Sequence, residues 1–141
     1  MSAEKKRVVV VVEDDQPVGE MIASIINDED GYYAMHITKP TEALEKLKTI
    51  KPDLLVLDVG LPEMSGLELL DEVQKVDELK NVPVMFETAV ANDHKSDFKA
   101  RGVDAVVEKP FNIDELMRYV HKLAPRLPIP SGSESGAAGT L

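Results

Sequence analysis

Leu54-Leu55-Val56-Leu57 runs straight into Asp58-Val59-Gly60-Leu61-Pro62-Glu63-Met64-Ser65-Gly66. An unbroken apolar run that meets an acid, then Gly and Pro, describes a strand buried on both faces that ends in a loop. A second such run, Val8 to Val12, lies ahead of it and ends in Glu13-Asp14-Asp15. A third, Ala105-Val106-Val107, lies far behind and ends in Glu108-Lys109-Pro110-Phe111. Two of these strand ends are acidic and one carries a lysine. In a parallel α/β sheet the carboxyl ends of the strands share one edge, and ligands bind there.

The segments between these runs complete an alternation of strand and helix. After Pro17 the apolar residues Val18, Met21, Ile22, Ile25 and Ile26 recur at helical spacing, and Asp28 to Gly31 stops that helix. Tyr33 to Ile37 predicts a second strand near a sheet edge. Pro40 suits the first turn of a helix striped by Ala43, Leu44 and Leu47, which Lys51-Pro52 ends. Leu67, Leu70, Val73 and Val76 mark another helix, and Val84 to Thr88 a fourth strand. Asn92 to Arg101 predicts a short polar helix with Gly102 as its C-cap, ahead of the fifth strand, Ala105 to Val107. Asn112-Ile113-Asp114-Glu115 has a capping-box pattern and opens a last helix with Ile113, Leu116, Met117, Val120 and Leu123 on one face. Five alternations of this kind predict an α/β fold, a mostly parallel sheet covered on both faces. The folded domain is expected over residues 6–127. The stretch 128–141, rich in Gly, Ser and Ala, is expected to be a disordered tail and suits a natural end, a linker or an expression scar equally.

Bulk composition narrows the function classes. The chain has 141 residues, 43% hydrophobic and 30% charged, in the range of one ordinary globular domain. A net charge of −10 argues against direct nucleic-acid binding, which needs clustered Lys and Arg. Cysteine is absent, so the sequence offers no disulfide, thiolate metal site or thiol nucleophile, in keeping with a cytoplasmic protein. The Val8–Val12 run is too short for a signal-peptide core or a membrane span.

The chemistry follows from the strand ends. Glu13 and Asp14 follow one strand and Asp58 another, and they are expected to converge on one edge. Packed carboxylates repel each other, and a shared cation relieves that repulsion. With no Cys and no His at a matching strand end, the donors are all oxygen, which favours Mg²⁺. Asp58 can then act as a nucleophile toward a phosphoryl group, giving an aspartyl-phosphate. Such a transfer needs positioning and charge neutralisation, and Lys109 is the candidate ammonium. Thr88, at the end of the fourth strand, can donate its hydroxyl to a phosphoryl oxygen.

These residues resemble the receiver domain of bacterial two-component response regulators. The resemblance rests on Val11-Val12-Glu13-Asp14, on Asp58 through Gly66, on Val82-Pro83-Val84 through Thr88-Ala89, and on Gly102-Val103-Asp104 through Lys109-Pro110-Phe111. All four stand in the family's order with family-like spacing. The resemblance implies a flavodoxin-like (βα)5 doubly wound sheet of strand order 2-1-3-4-5. It implies that Asp58 accepts a phosphoryl group from the phosphohistidine of a sensor histidine kinase or a histidine phosphotransfer protein. Asp14 would bind Mg²⁺ directly together with Asp58 and the Gly60 carbonyl, and Glu13 through water. Thr88 would bond the phosphoryl oxygen, and Lys109 would pair with Asp58 or its phosphate. The chain would be a switch rather than an enzyme with a separate substrate, promoting its own phosphotransfer and dephosphorylation. Its output would pass to an effector protein through the face of helix four, strand five and helix five. Asp15 falls outside the core set. His36, His94 and His121 match no family position and are expected at the surface.

Some positions depart from the family pattern. Val106 stands where the family usually carries an aromatic ring that moves with Thr88. A β-branched side chain has few rotamers, so phosphorylation is expected to reshape the loop after Thr88 and the short helix behind it. Glu87 is an acid at a central strand position and needs a partner. By alternation with Thr88 it is expected to face a helix and to pair with a basic residue that the sequence does not single out. Gly60 and Val90 occupy the positions that tune phosphate lifetime in this family. The alternative function is a pseudo-receiver, an interaction module that works without phosphorylation. A small aspartyl-phosphate phosphohydrolase would need a second acid just after the nucleophile, where Val59-Gly60-Leu61 has none. A flavin protein of this topology would need a phosphate loop after the first strand.

Overall fold

Valine loses rotamer freedom in a helix and packs well on a pleated surface, and the valine run near the N-terminus becomes the centre of the sheet. The computed structural model describes residues 5–128. Strand β1 (Arg7–Val12) pairs in parallel with β2 (Tyr32–Ile37) on one side and β3 (Leu54–Leu57) on the other. β3 pairs with β4 (Val84–Thr88), and β4 with β5 (Ala105–Glu108), again in parallel. The order β2-β1-β3-β4-β5 is the flavodoxin-like arrangement expected from the sequence.

Helices α1 (Gln16–Asn27), α2 (Pro40–Ile50), α3 (Gly66–Gln74), α4 (Lys95–Ala100) and α5 (Ile113–Leu123) connect the strands. Alternation along the strands splits the core in two. Val10, Val12, Leu55, Leu57 and Phe86 face α2, α3 and α4, meeting Leu47, Leu70 and Phe98. Val9, Val11, Val56, Met85 and Val107 face α1 and α5, meeting Ile22, Ile26, Leu116 and Val120. No helix among the described residues is long and apolar enough to cross a membrane.

Local chemistry fixes the helix ends. The Asp15 carboxylate accepts from the Val18 amide and caps α1, with a proline in its first turn. α2 ends at Lys51, a left-handed residue at φ 51°, and Gly102 follows α4 at φ 66°, a conformation that suits glycine after a helix.

Four details differ from the sequence reading. The segment predicted as one helix over Asn92–Arg101 divides into a 3-10 turn, Ala91–His94, and the short α4. Phe98 is the one residue of α4 that is buried, too little to hold a longer helix on the sheet. Asn112 caps α5 by accepting from the Glu115 amide, without the reciprocal bond of a full box. The complete box is at Ser65 and Glu68, at the start of α3. Ile113 is 51% exposed rather than part of the buried stripe, because the first turn of α5 projects beyond the strands it covers. The predicted tail falls outside the described residues, save Pro128.

Candidate functional site

Parallel register builds the site. Val11, Val56 and Met85 lie opposite one another across β1, β3 and β4. Two residues further along each strand come Glu13, Asp58 and Glu87, which emerge on the same face, the one covered by α1 and α5. Glu87 lies opposite Val107, and Lys109 follows two residues later, past the end of β5. The lysine side chain reaches back over this row. Its Nζ lies 2.9 Å from Glu13 Oε1, 3.0 Å from Asp58 Oδ2 and 3.3 Å from Glu87 Oε1.

Burial and charge act differently on the members. Glu13 is 1% exposed and Asp58 7%, whereas Asp14 is exposed. Burial works against the Lys109 ammonium, but its hydrogen bonds to Glu13 and Asp58 and the attraction of Glu87 outweigh that and hold its pKa above the ordinary value. Glu87 is 0% exposed, and neither of its oxygens accepts a hydrogen bond from a donor among the described residues. The ammonium at 3.3 Å is off the direction a bond requires. Burial first, then a hydrogen bond that the Glu87 proton makes to the Glu13 carboxylate, pushes the Glu87 pKa from 4.5 to about 10, so it carries a proton at neutral pH. The expected basic partner of Glu87 is Lys109, and the expected helix-covered face is that of α1 and α5.

The loops complete the constellation. The Gly60 amide donates to Asp58 Oδ1 at 3.3 Å, and the Asp15 amide to Glu13 Oε2 at 3.1 Å. A β-carbon on Gly60 would meet nothing, leaving open space beside the carboxylate. A β-carbon on Gly66 would overlap the Asp58 carbonyl oxygen, so the start of α3 packs against the backbone of Asp58 as only glycine allows. Thr88 is 1% exposed, and its hydroxyl accepts from the Val90 amide at 3.3 Å. Its carbonyl accepts from the Lys109 amide at 2.9 Å.

Glu13, Asp14 and Asp58 each present a carboxylate oxygen within 4.8 Å of the others. Asp14 makes no ion pair or side-chain hydrogen bond among the described residues. An all-oxygen set with an exposed, unengaged carboxylate fits a hard divalent cation that keeps part of its water. Beside Lys109 a hollow of about 500 Å³ is lined by Val18, Met21, Ala89, Pro110, Phe111 and Ile113. Met21 is 44% exposed there.

His36 is not the surface residue expected. Its Nε2 lies 2.7 Å from the Glu13 carbonyl oxygen, which only accepts, so Nε2 carries the proton and donates. The ring lies over Gly19, where any β-carbon would overlap it. β2 and α1 together thus clamp the backbone that carries Glu13 and Asp14. The sequence holds no local signal for this pair, since nothing at Gly19 or His36 marks the other. The signal for Glu87 was available, because it follows its apolar run at the same offset as Glu13 and Asp58.

Comparison with known proteins agrees with this geometry. The family pattern for the response regulator receiver domain matches residues 9–121. The chain is 32% identical over 119 residues to hybrid signal transduction histidine kinase D of Dictyostelium discoideum, spanning 84% of this chain but only 8% of that kinase. It is 29% identical over 113 residues to the polar-differentiation response regulator DivK of Brucella anthropi, spanning 79% of this chain and 91% of DivK. Among solved structures it superposes on the chemotaxis response regulator CheY4 of Vibrio cholerae with a TM-score of 0.77 at 26% identity, covering 84% of this chain and 99% of CheY4. The HemR receiver domain of Leptospira biflexa gives a TM-score of 0.76 at 27% identity, covering 89% and 98%.

Proposed function

Because the chain belongs to the response regulator receiver domain family of two-component signalling, we propose that it is a phosphorylation-dependent switch with Asp58 as phosphoacceptor. The observation that carries this reading is the placement of Asp58 itself. Its carboxylate is nearly buried, fixed by the Lys109 ammonium at 3.0 Å and the Gly60 amide at 3.3 Å, and it borders the acidic trio.

In the proposed reaction a carboxylate oxygen of Asp58 attacks the phosphorus of a partner's phosphohistidine. The new P–O bond forms as the P–N bond breaks, and its electron pair leaves on the imidazole nitrogen. Asp14, Asp58, the Gly60 carbonyl and, through water, Glu13 would hold Mg²⁺, which supplies neutralisation of charge on the transferred group. Lys109 balances charge on the same oxygens. Thr88 is to turn its hydroxyl from the Val90 amide to a phosphoryl oxygen once one is present. The domain acts on itself and has no separate substrate. The apolar hollow beside Lys109 suits the donor, a sensor histidine kinase or histidine phosphotransfer protein. The effector would be a protein that reads the face of α4, β5 and α5. The proposed setting is the cytoplasm.

The test is intact-protein mass after incubation with Mg²⁺ and acetyl phosphate. The expected result is a single phosphoryl adduct that disappears in Asp58→Asn and in chelator. The competing reading, a pseudo-receiver that works without phosphorylation, draws on Glu87, which gives Lys109 a partner other than Asp58. It is selected if neither small-molecule donors nor a histidine kinase produce the adduct.

A further inference from the structure

Glu87 is the one carboxylate of the row for which phosphoryl transfer to Asp58 has no use. It is fully buried, and neither of its oxygens accepts a hydrogen bond from a donor among the described residues, which costs stability. Met85, the preceding residue on the same face of β4, packs in the apolar core, so the buried end of the Glu87 side chain borders apolar neighbours. Lysine has a flexible stem and a compact charge, so it keeps a position only where fixed partners surround it. Of the partners of Lys109, Asp58 exchanges its carboxylate for an acyl phosphate in the proposed reaction, and Glu13 belongs to the trio that would face a cation. Glu87 takes part in neither event. Its Oε1 lies 3.3 Å from Nζ, on the buried side of the ammonium.

We propose that Glu87 is a positioning residue, holding the Lys109 ammonium from the buried side of the site while the charge on Asp58 changes. The inference rests on the function proposed above and adds a residue to it.

The test compares the unaltered chain with Glu87→Met and Glu87→Gln. Adduct formation is followed by intact mass over a range of acetyl phosphate concentrations at saturating Mg²⁺. The Lys109 ammonium is followed by ¹⁵N-lysine NMR without any donor. Methionine removes a buried polar group, so Glu87→Met is expected to fold at least as stably. Its maximal rate is expected to fall about tenfold, within the cost of letting a charged group drift out of place. The half-saturating donor concentration is expected to stay within about twofold. Glutamine keeps an oxygen for the ammonium and is expected to restore most of the rate. The ammonium signal is expected to be sharp in the unaltered chain and in Glu87→Gln, and broadened by solvent exchange in Glu87→Met. An unchanged rate and signal in Glu87→Met would overturn the inference, as would a glutamine variant as impaired as the methionine one. If the unaltered chain takes up no phosphoryl group from any donor, the proposed function fails, and the ammonium signal alone decides the role of Glu87.

Discussion

The two edges of the sheet use acids in opposite ways. At the amino edge Asp53 accepts from the Val8 amide at 2.8 Å and lies 3.5 Å from Arg7, and Asp104 accepts from the Val84 amide at 2.9 Å. Each of these carboxylates satisfies a strand amide that has no ladder partner, and each stays in contact with water. At the carboxyl edge Glu13, Asp58 and Glu87 crowd around a single ammonium, and neither Glu87 oxygen accepts a hydrogen bond from a donor among the described residues. Acids of the first kind close the fold. Acids of the second kind make it less stable than it could be and, on the proposed function, keep a nucleophilic carboxylate in place.

This contrast breaks if variants at the two edges behave alike. The largest expected effect is at Asp58: Asp58→Asn abolishes the phosphoryl adduct, whereas Asp104→Ala takes up the group at an unaltered rate, both read by intact mass. Next is Gly66→Ala, whose methyl would overlap the Asp58 carbonyl oxygen. It is expected to cost about 3 kcal/mol in urea unfolding.

Glu87 sharpens the comparison through pH. Unfolded, it loses its proton above about 4.5, while in the fold it keeps the proton up to about 10. Between those values the folded state binds the extra proton, so its stability falls as pH rises. Glu87→Met removes that slope. In chelator it is expected to gain up to about 3 kcal/mol at pH 7 relative to its effect near pH 4.5, measured by urea titration at both values. At the amino edge the sign reverses: Asp104→Ala is expected to lose about 1 kcal/mol, the worth of one hydrogen bond to the Val84 amide. The exposed Glu42–Lys46 pair on α2 sets the floor, and Lys46→Ala is expected to shift stability by less than about 0.5 kcal/mol.

Much of this was legible in the chain before any coordinates. The apolar runs of β1, β3 and β4 mark strands because a two-sided sheet requires them to be apolar throughout. Asp58 and Glu13 are legible because each directly follows such a run, and Lys109 because it stands two residues past the Ala105–Val107 run. Glu87 was noticed as an acid in a strand, but its partner was not, because register is set by packing between segments distant in sequence. α4 was drawn too long because a helix with one buried residue leaves no stripe to read. The Ser65–Glu68 box stood in the sequence in the right spacing and was passed over for the weaker one at Asn112. The clamp of His36 on the Glu13 carbonyl joins residues whose proximity only the folded chain reveals.

That clamp also constrains the order in which this sequence can change. The His36 ring fills the space a side chain at position 19 would take, so Gly19→Ala pushes the ring aside unless position 36 is made smaller first. A lineage that reduces His36 first loses the donor to the Glu13 carbonyl before it gains anything at Gly19. The two positions are therefore coupled, since a change at either one costs the hydrogen bond to the Glu13 carbonyl.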